Sequence, residues 1–433
     1  SNPLVIGLNK QRHDQCEAVG LGYDIEKGSF KRAQEGEHNT GYRFFTDGGG
    51  TMKALKGAFI WGSFEYSRDQ LRDAEYNASL IDPLRGTPFF IADTYKSKWI
   101  NQLYDMTVKA AAPKLWDRLI FGIEATYQNG QGAKQHDPRP LVSLSKFEIK
   151  PGVTVTLGKH AIGANYQYYS RREDGTASNK ISMSTNPVYI FNFPGFYVDA
   201  SISSSTDDNQ RIYNANCMGV GGQYSFTTQK LRLLVSGKYT REIEDVTNSY
   251  TTPKMVGTTR DERWSIGLNA VYKPSKENTF FLNAAYGDRS IDGIQYVQEW
   301  DNSFEVAKWI IKSKSVRSNS SKAGFEGRLQ YMRTTRGDSY NCRRRILHRE
   351  AQRHLLFPAQ HPGHRKLQDR HLRTQEFHLQ RKALAARRNT RLLQDEQQQR
   401  HRLQRLQGRH EMLLRFHAPR LLLPRVGIRC VRR

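Results

Sequence analysis

Few side chains in this chain are placed to do covalent chemistry. Of its 13 histidines, 9 follow Tyr340, which leaves His13, His38, His136 and His160. A histidine held by a carboxylate and aimed at a hydroxyl or a water would make a hydrolase. His136 stands beside Asp137 in a polar stretch and His160 in a short turn, yet no spacing gathers a Ser, Asp and His set. Gly48-Gly49-Gly50-Thr51 with Lys53 has the glycines of a phosphate loop but not its spacing or its Lys-Ser/Thr pair, and reads as a flexible turn. Cys16, Cys217, Cys342 and Cys430 show no metal-ligand spacing and no disulfide framework. The late histidines show no repeated metal spacing either. The expectation is a non-enzymatic chain without catalytic, cofactor-binding or metal-ligating residues.

More informative are charges that recur opposite apolar stripes: Asp105, Lys109, Arg118, Glu124, Arg232, Lys238, Glu326 and Arg328. They are candidate lumen-lining residues, able to solvate a polar solute in a pore or to pair across a filled interior, depending on bore. The elements that must position them are strands. In 263–287, Trp264, Ile266, Leu268, Ala270 and Tyr272 share one face, and after a turn Phe280, Leu282, Ala284 and Tyr286 resume it. Period two is the strand signature, because successive side chains leave opposite faces of the pleat. Each apolar face begins and ends on a ring. Trp264, Tyr272, Phe280 and Tyr286 are therefore candidate interface aromatics of a strand crossing lipid.

One hairpin suits a soluble sandwich equally well; recurrence favours a barrel. The pattern repeats at 104–127 about Pro113–Trp116, at 147–168 about Leu157–His160, at 218–239 about Thr227–Lys230, and in 323–331. Ala58, Ile60, Gly62, Phe64 and Tyr66 form another stripe, and shorter alternating segments lie at 18–24 and 41–46. Links within hairpins are short, whereas 128–141, 170–211 and 241–262 read as long polar loops. Sorted loops are the habit of outer-membrane barrels and not of sandwiches. No run of 18 apolar residues exists, so no transmembrane helix is expected. Residues 188–198, VYIFNFPGFYV, lie within the longest connection. They read as a ligand-stacking surface, a loop folded into the barrel mouth, or one more strand.

The stretch FEIKPGVTVTLGKHAIGANYQY, Thr87-Pro88-Phe89-Phe90-Ile91-Ala92-Asp93 and Asp137-Pro138-Arg139-Pro140 resemble an uncharacterised family of outer-membrane β-barrels of Gram-negative bacteria. The resemblance covers about 14–340. It implies an outer-membrane barrel and supplies no activity.

The formal charge of +25 invites a nucleic-acid reading, but it is concentrated after Tyr340. Residues 341–433 hold 22 Arg and 2 Lys against 6 acids, and none of the 21 Tyr or 6 Trp. Arg, Leu, His and Gln dominate there, and all have codons beginning with C. Tyr, Asn, Thr and Asp codons often end in C, so a one-base displacement converts one vocabulary into the other. The expectation is therefore two regions: an incomplete barrel over 1–340, and a frameshifted, non-native basic tail over 341–433. That tail should form isolated helices or coil with few contacts to the sheet. The start at Ser1 reads as a truncated or processed one. The expected fold is all-β: an antiparallel up-and-down transmembrane barrel of 12 to 16 strands when complete. It is expected in the outer membrane, with lipid and other envelope proteins as partners, without cofactor and without nucleic acid. Its expected role is passage of a small solute or a structural or docking one. The alternatives are a barrel-embedded hydrolase and a soluble binding sandwich.

Overall fold

The period-two segments become strands in the computed structural model. It describes residues 15–356, apart from 29–31, 33, 53–54, 56, 83–84, 94, 178–188, 195–198, 203–209, 250–251, 304–306 and 335–339, together with 429–431. In chain order the strands are β1 (Gln15–Lys27), β2 (His38–Met52), β3 (Ala58–Ala74), β4 (Phe89–Asp93), β5 (Ser97–Ala111), β6 (Leu119–Lys134), β7 (Leu141–Leu157), β8 (His160–Thr176), β9 (Tyr189–Pro194), β10 (Asp199–Ile202), β11 (Arg211–Thr227), β12 (Leu231–Asn248), β13 (Lys254–Tyr272), β14 (Asn278–Asp301), β15 (Lys308–Thr334), β16 (Tyr340–Leu356) and β17 (Arg429–Val431). β1–β3, β5–β8 and β11–β15 form one antiparallel up-and-down meander of barrel type, with β16 beside β15 and β17 beside β1. β4, β9 and β10 make a separate three-stranded sheet. Among the described residues β16 and β17 are not hydrogen-bonded to each other, and no helix is long and apolar enough to cross a membrane.

Opposite residues of an antiparallel pair share a face, so the apolar stripe runs from strand to strand. Leu21 faces Phe44, Phe64 faces Met106, Tyr166 faces Val220, Ile266 faces Tyr286 and Leu282 faces Leu329. These side chains point outward: Leu21 is 71% exposed and Ile266 54%. A sandwich would bury them between two sheets, so that alternative fails.

Several local readings change. Gly48–Thr51 is not a turn; it lies in β2, paired with β3 residues Gly62 to Phe59. Most of 128–141 and 241–262 is strand, leaving connections of only 135–140 and 249–253. Alternation was hidden there because the outward positions turn polar, as at Gln131, Arg241, Asp245 and Arg260. The strands therefore run well past the roughly 9–11 residues that cross a bilayer, β14 reaching 24 residues and β15 27. Within 188–198 the described residues form the strand β9, which pairs with β4 and with β10; 188 and 195–198 lie outside the described residues.

The Arg-rich end also departs from expectation. β16 pairs with β15 from Thr334↔Tyr340 to Ser318↔Leu356. An edge strand offers a row of N–H and C=O groups that any extended segment can satisfy, whatever its side chains. The register sets Arg343, Arg345, Arg349 and Arg353 opposite Tyr331, Leu329, Phe325 and Ser321, the positions of the outward stripe. Residues 357–428 lie outside the described residues.

Candidate functional site

At the end of the barrel away from the short turns, the chain leaving β3 does not loop outward. The described residues of 75–93 turn back against the concave face as an inner strap that ends in β4. Its base is closed by Tyr76 N–H donating to the Asp93 carbonyl, 2.5 Å, with Asp73 and Tyr76 at positive φ of 62° and 53°. The wall that receives it is glycine-bearing. A Cβ on Gly257 would collide with the Phe89 ring, one on Gly293 would stand 2.7 Å from Pro88, and one on Gly132 2.6 Å from Leu80. Bare backbone at these inward positions is what lets the strap lie close. Phe89 is fully buried in a cluster with Tyr213, Val246 and Val256. Leu80 packs on Ala74, Trp99 and Val142.

Polar pins reinforce this packing. Arg85 reaches Glu244 at 3.2 Å and lies over the Tyr213 ring at 4.7 Å. Glu173 accepts from the Ser79 hydroxyl at 2.5 Å and the Ile81 N–H at 3.0 Å. Thr87 meets Thr259 at 3.0 Å. Asp93 pairs with Lys134, which also donates to the Tyr95 carbonyl at 2.6 Å. Arg289 donates to the Arg85 carbonyl and pairs with Asp261 at 2.7 Å. Arg171 bridges Glu242 and Glu244 at 2.9 and 2.7 Å, and Tyr169 donates to Glu242. Buried charges persist when they are paired and multiply hydrogen-bonded, as here. These groups lie beyond the outer ring of aromatics. Burial, with Glu244 beside it, pushes the Glu242 carboxyl up to about 7. Burial likewise raises Glu173.

Nearer the short turns the inner face carries a charge ladder. Lys109, over the Trp61 ring at 4.8 Å, pairs with Glu124 at 3.2 Å. Lys150 bridges Glu124 and Glu148 at 3.0 and 2.7 Å. Glu148 also takes Lys146 at 2.8 Å and Gln167 at 2.7 Å. Asp105 is on the same face and accepts from Gln128. Lys238 and Arg232 lie on the inner face of β12, Arg232 near its short-turn end, and Glu326 and Arg328 are 3.6 Å apart on β15. Arg118 is instead exposed in the turn before β6, where its carbonyl accepts from Thr156. The eight charges thus do not form one ring.

The ring candidates occupy the outer face. Trp264 packs on Tyr286 at 5.1 Å toward one end of the apolar band. Tyr272, Phe280 and Tyr331 form a chain of rings at the other. His160 belongs to that lower belt: its Nδ1 lies 2.8 Å from the Tyr224 hydroxyl and its ring 4.9 Å from Phe226. His136 contacts the Asp137 carbonyl at 3.0 Å. His13 lies outside the described residues, and His38 caps the outer row of β2. Among the described residues no group of His, Cys, Asp or Glu is arranged to hold a metal ion, and Cys217 is a buried free thiol.

The geometry defines a class, the up-and-down meander of outer-membrane-type barrels, here with an inner strap. Residues 5–387 match a family of unknown function (DUF6850), and the chain belongs to that family. The match passes Tyr340 into the Arg-rich end. Similar solved folds include the ferric yersiniabactin uptake receptor FyuA of Yersinia pestis, 8% identical, TM-score 0.42, covering 80% of this chain and 57% of that one. Another is the siderophore receptor PiuA of Acinetobacter baumannii, 9% identical, TM-score 0.39, covering 77% and 60%. A third is the P. putida toluene transporter TodX, 10% identical, TM-score 0.31, covering 83% and 94%. The chain thus spans less than two thirds of the length of the two receptors. No curated protein matches the sequence.

Proposed function

We propose that the chain is an integral outer-membrane barrel that carries out no catalysis and gives small polar solutes a restricted passage. The observation carrying this reading is the pinned strap, which narrows the upper lumen above an ion-paired inner face. Lipid is then its partner, and nucleic acid is not. The completeness of the pairing along Lys109, Glu124, Lys150 and Glu148 favours, as a second reading, a plugged barrel with a structural or docking role toward other envelope proteins. Single-channel conductance in a planar bilayer separates them. Gly257→Leu drives a side chain into the space of Phe89. A narrow passage predicts small wild-type conductance that rises severalfold in this variant; none in either protein supports the plug. Wide conductance equal in both would end the first reading.

The proposal for 341–433 remains a one-base displacement beginning between about Arg333 and Arg345. Arginines at the stripe positions of β16 support it. The family match to residue 387 and the continuous pairing of β16 stand against it. The nucleotide sequence decides: a displaced frame must restore alternating strands rich in Tyr, or the tail is native.

A further inference from the structure

Outward bases above the aromatic belt are neutralised along one side of the barrel. Arg172 faces Asp174 at 3.5 Å and Arg241 faces Glu262 at 3.5 Å, while Arg260 pairs with Asp292. The other side differs. Lys27 pairs in register with His38, and His38 with Arg72. Lys98 follows on β5, one residue above the Leu71↔Trp99 pair, where the β3–β5 register shifts. Three full charges and an imidazole thus stand in one cross-strand row over β1, β2, β3 and β5. No carboxylate lies within ion-pair distance of any of them among the described residues.

Like charges directly opposite one another on a sheet destabilise it unless something anionic lies over them. The height of the row indicates what that is. Tyr23 and Tyr42, in ring contact at 5.0 Å, lie four residues below Lys27 and His38 on the same outward face. At strand rise and barrel tilt that is roughly 10 Å. Interface tyrosines sit at headgroup level. Arg68, exposed and opposite Tyr42, stands at the level of the belt itself. Long Lys and Arg side chains span much of that distance, so the row's charges reach the outer side of the phosphate layer.

We propose that the outer face of β1, β2, β3 and β5, through Lys27, His38, Arg72 and Lys98, binds the phosphate groups of anionic lipid in the adjoining leaflet. The inference rests on the membrane-spanning reading above. Its test places the full chain in phosphatidylcholine vesicles with phosphatidic acid as the probe, and measures co-retained lipid by native mass spectrometry. The variant combines Lys27→Gln, His38→Gln, Arg72→Gln and Lys98→Gln; the control combines Arg241→Gln and Arg260→Gln. The site predicts a loss of bound phosphatidic acid on the order of tenfold or more in the variant, little loss in the control, and no competition from inorganic phosphate. Equal retention by variant and wild type overturns it, as does equal loss in the control. Displacement by inorganic phosphate overturns the lipid assignment. If the fourfold variant does not fold, Arg72→Gln alone decides: a severalfold loss supports the site and no loss removes it. A wild-type chain that never gains heat-resistant gel migration in vesicles sinks the spanning reading itself, and the site with it. A folded barrel indifferent to phosphatidic acid sinks the site alone.

Discussion

The lower and upper halves of this barrel share strands, pairing and inward–outward parity, yet different surroundings define them. Between the two aromatic belts the outward residues are apolar and the inner face is a ladder of Lys and Glu. Above the outer belt polar outward residues such as Gln131, Arg241, Asp245 and Arg260 break the apolar stripe, and the inner face closes on a strap from the chain itself. In the lower half hydrocarbon selects every second residue. In the upper half the selection is internal, by glycines and buried charge pairs that fit 75–93. A strand pattern therefore reports the solvent on each face, and it changes midway along a strand when that solvent does.

The largest test of this contrast is Glu244→Ala, which leaves Arg85 buried without its carboxylate. It should cost about 3–5 kcal/mol, read by urea unfolding in vesicles; a change below 1 kcal/mol would mean the strap is not pinned as described. Next is a depth comparison. Ile266→Arg in the apolar band should cost about 2–4 kcal/mol, whereas Gln131→Arg, outward but above the belt, should stay within about 0.5 kcal/mol. Equal costs would erase the boundary between the halves. Smaller still, Trp264→Ala removes a ring pair worth about 0.5–1.5 kcal/mol beyond its area. A matched Trp300→Ala change, in the Trp300–Trp309 pair of the projecting β14–β15 hairpin, should cost less because no lipid interface surrounds it.

The smallest expected effect is a pH slope confined to the upper half. Glu242 is surrounded by Glu244, Tyr169, Arg171, Asp261, Arg263 and the strap's Arg85. Its carboxyl is pushed from an ordinary value of 4.5 up to about 7, so the folded state holds its proton where the unfolded chain has lost it. The associated stability is complete below about pH 4.5 and drains away as pH rises toward 7. Glu242→Gln should flatten that slope, measured as unfolding midpoints at either end of the window. An unchanged slope would move the titration elsewhere.

Much of the lower half was legible in the sequence. Trp264, Ile266, Leu268 and Tyr272 announce a lipid-facing strand through local spacing alone, and their hairpin partners lie only a short turn away. The upper half was not. Arg241 to Glu262 looked like a loop because its outward face turns polar and its inner face mixes Glu242 and Glu244 with Val246 and Val256, all of it engaged near the strap. Thr87 to Asp93 was visible as a motif, but its destination depends on Gly257 and Gly293, whose lack of side chains carries no local signal. Arg118 looked inward by parity, and turn geometry took it out of the strand. The pairing of β16 was missed because backbone edges recruit partners without consulting composition.

The strap and the wall it rests on are made at different times. Arg85 meets Glu244 across 159 positions, Thr87 meets Thr259 across 172, and the Arg85 carbonyl meets Arg289 across 204. Most neighbouring strands can zip over a short turn, though β3 and β5 are joined through the strap and β8 and β11 through 177–210, while docking of 85–89 must wait for β12 to β14. A nascent sheet of this design thus tethers the strap through Leu80, Ser79 and Asp93 while β5 to β8 assemble, and seats Arg85 to Phe89 only when its late strands arrive.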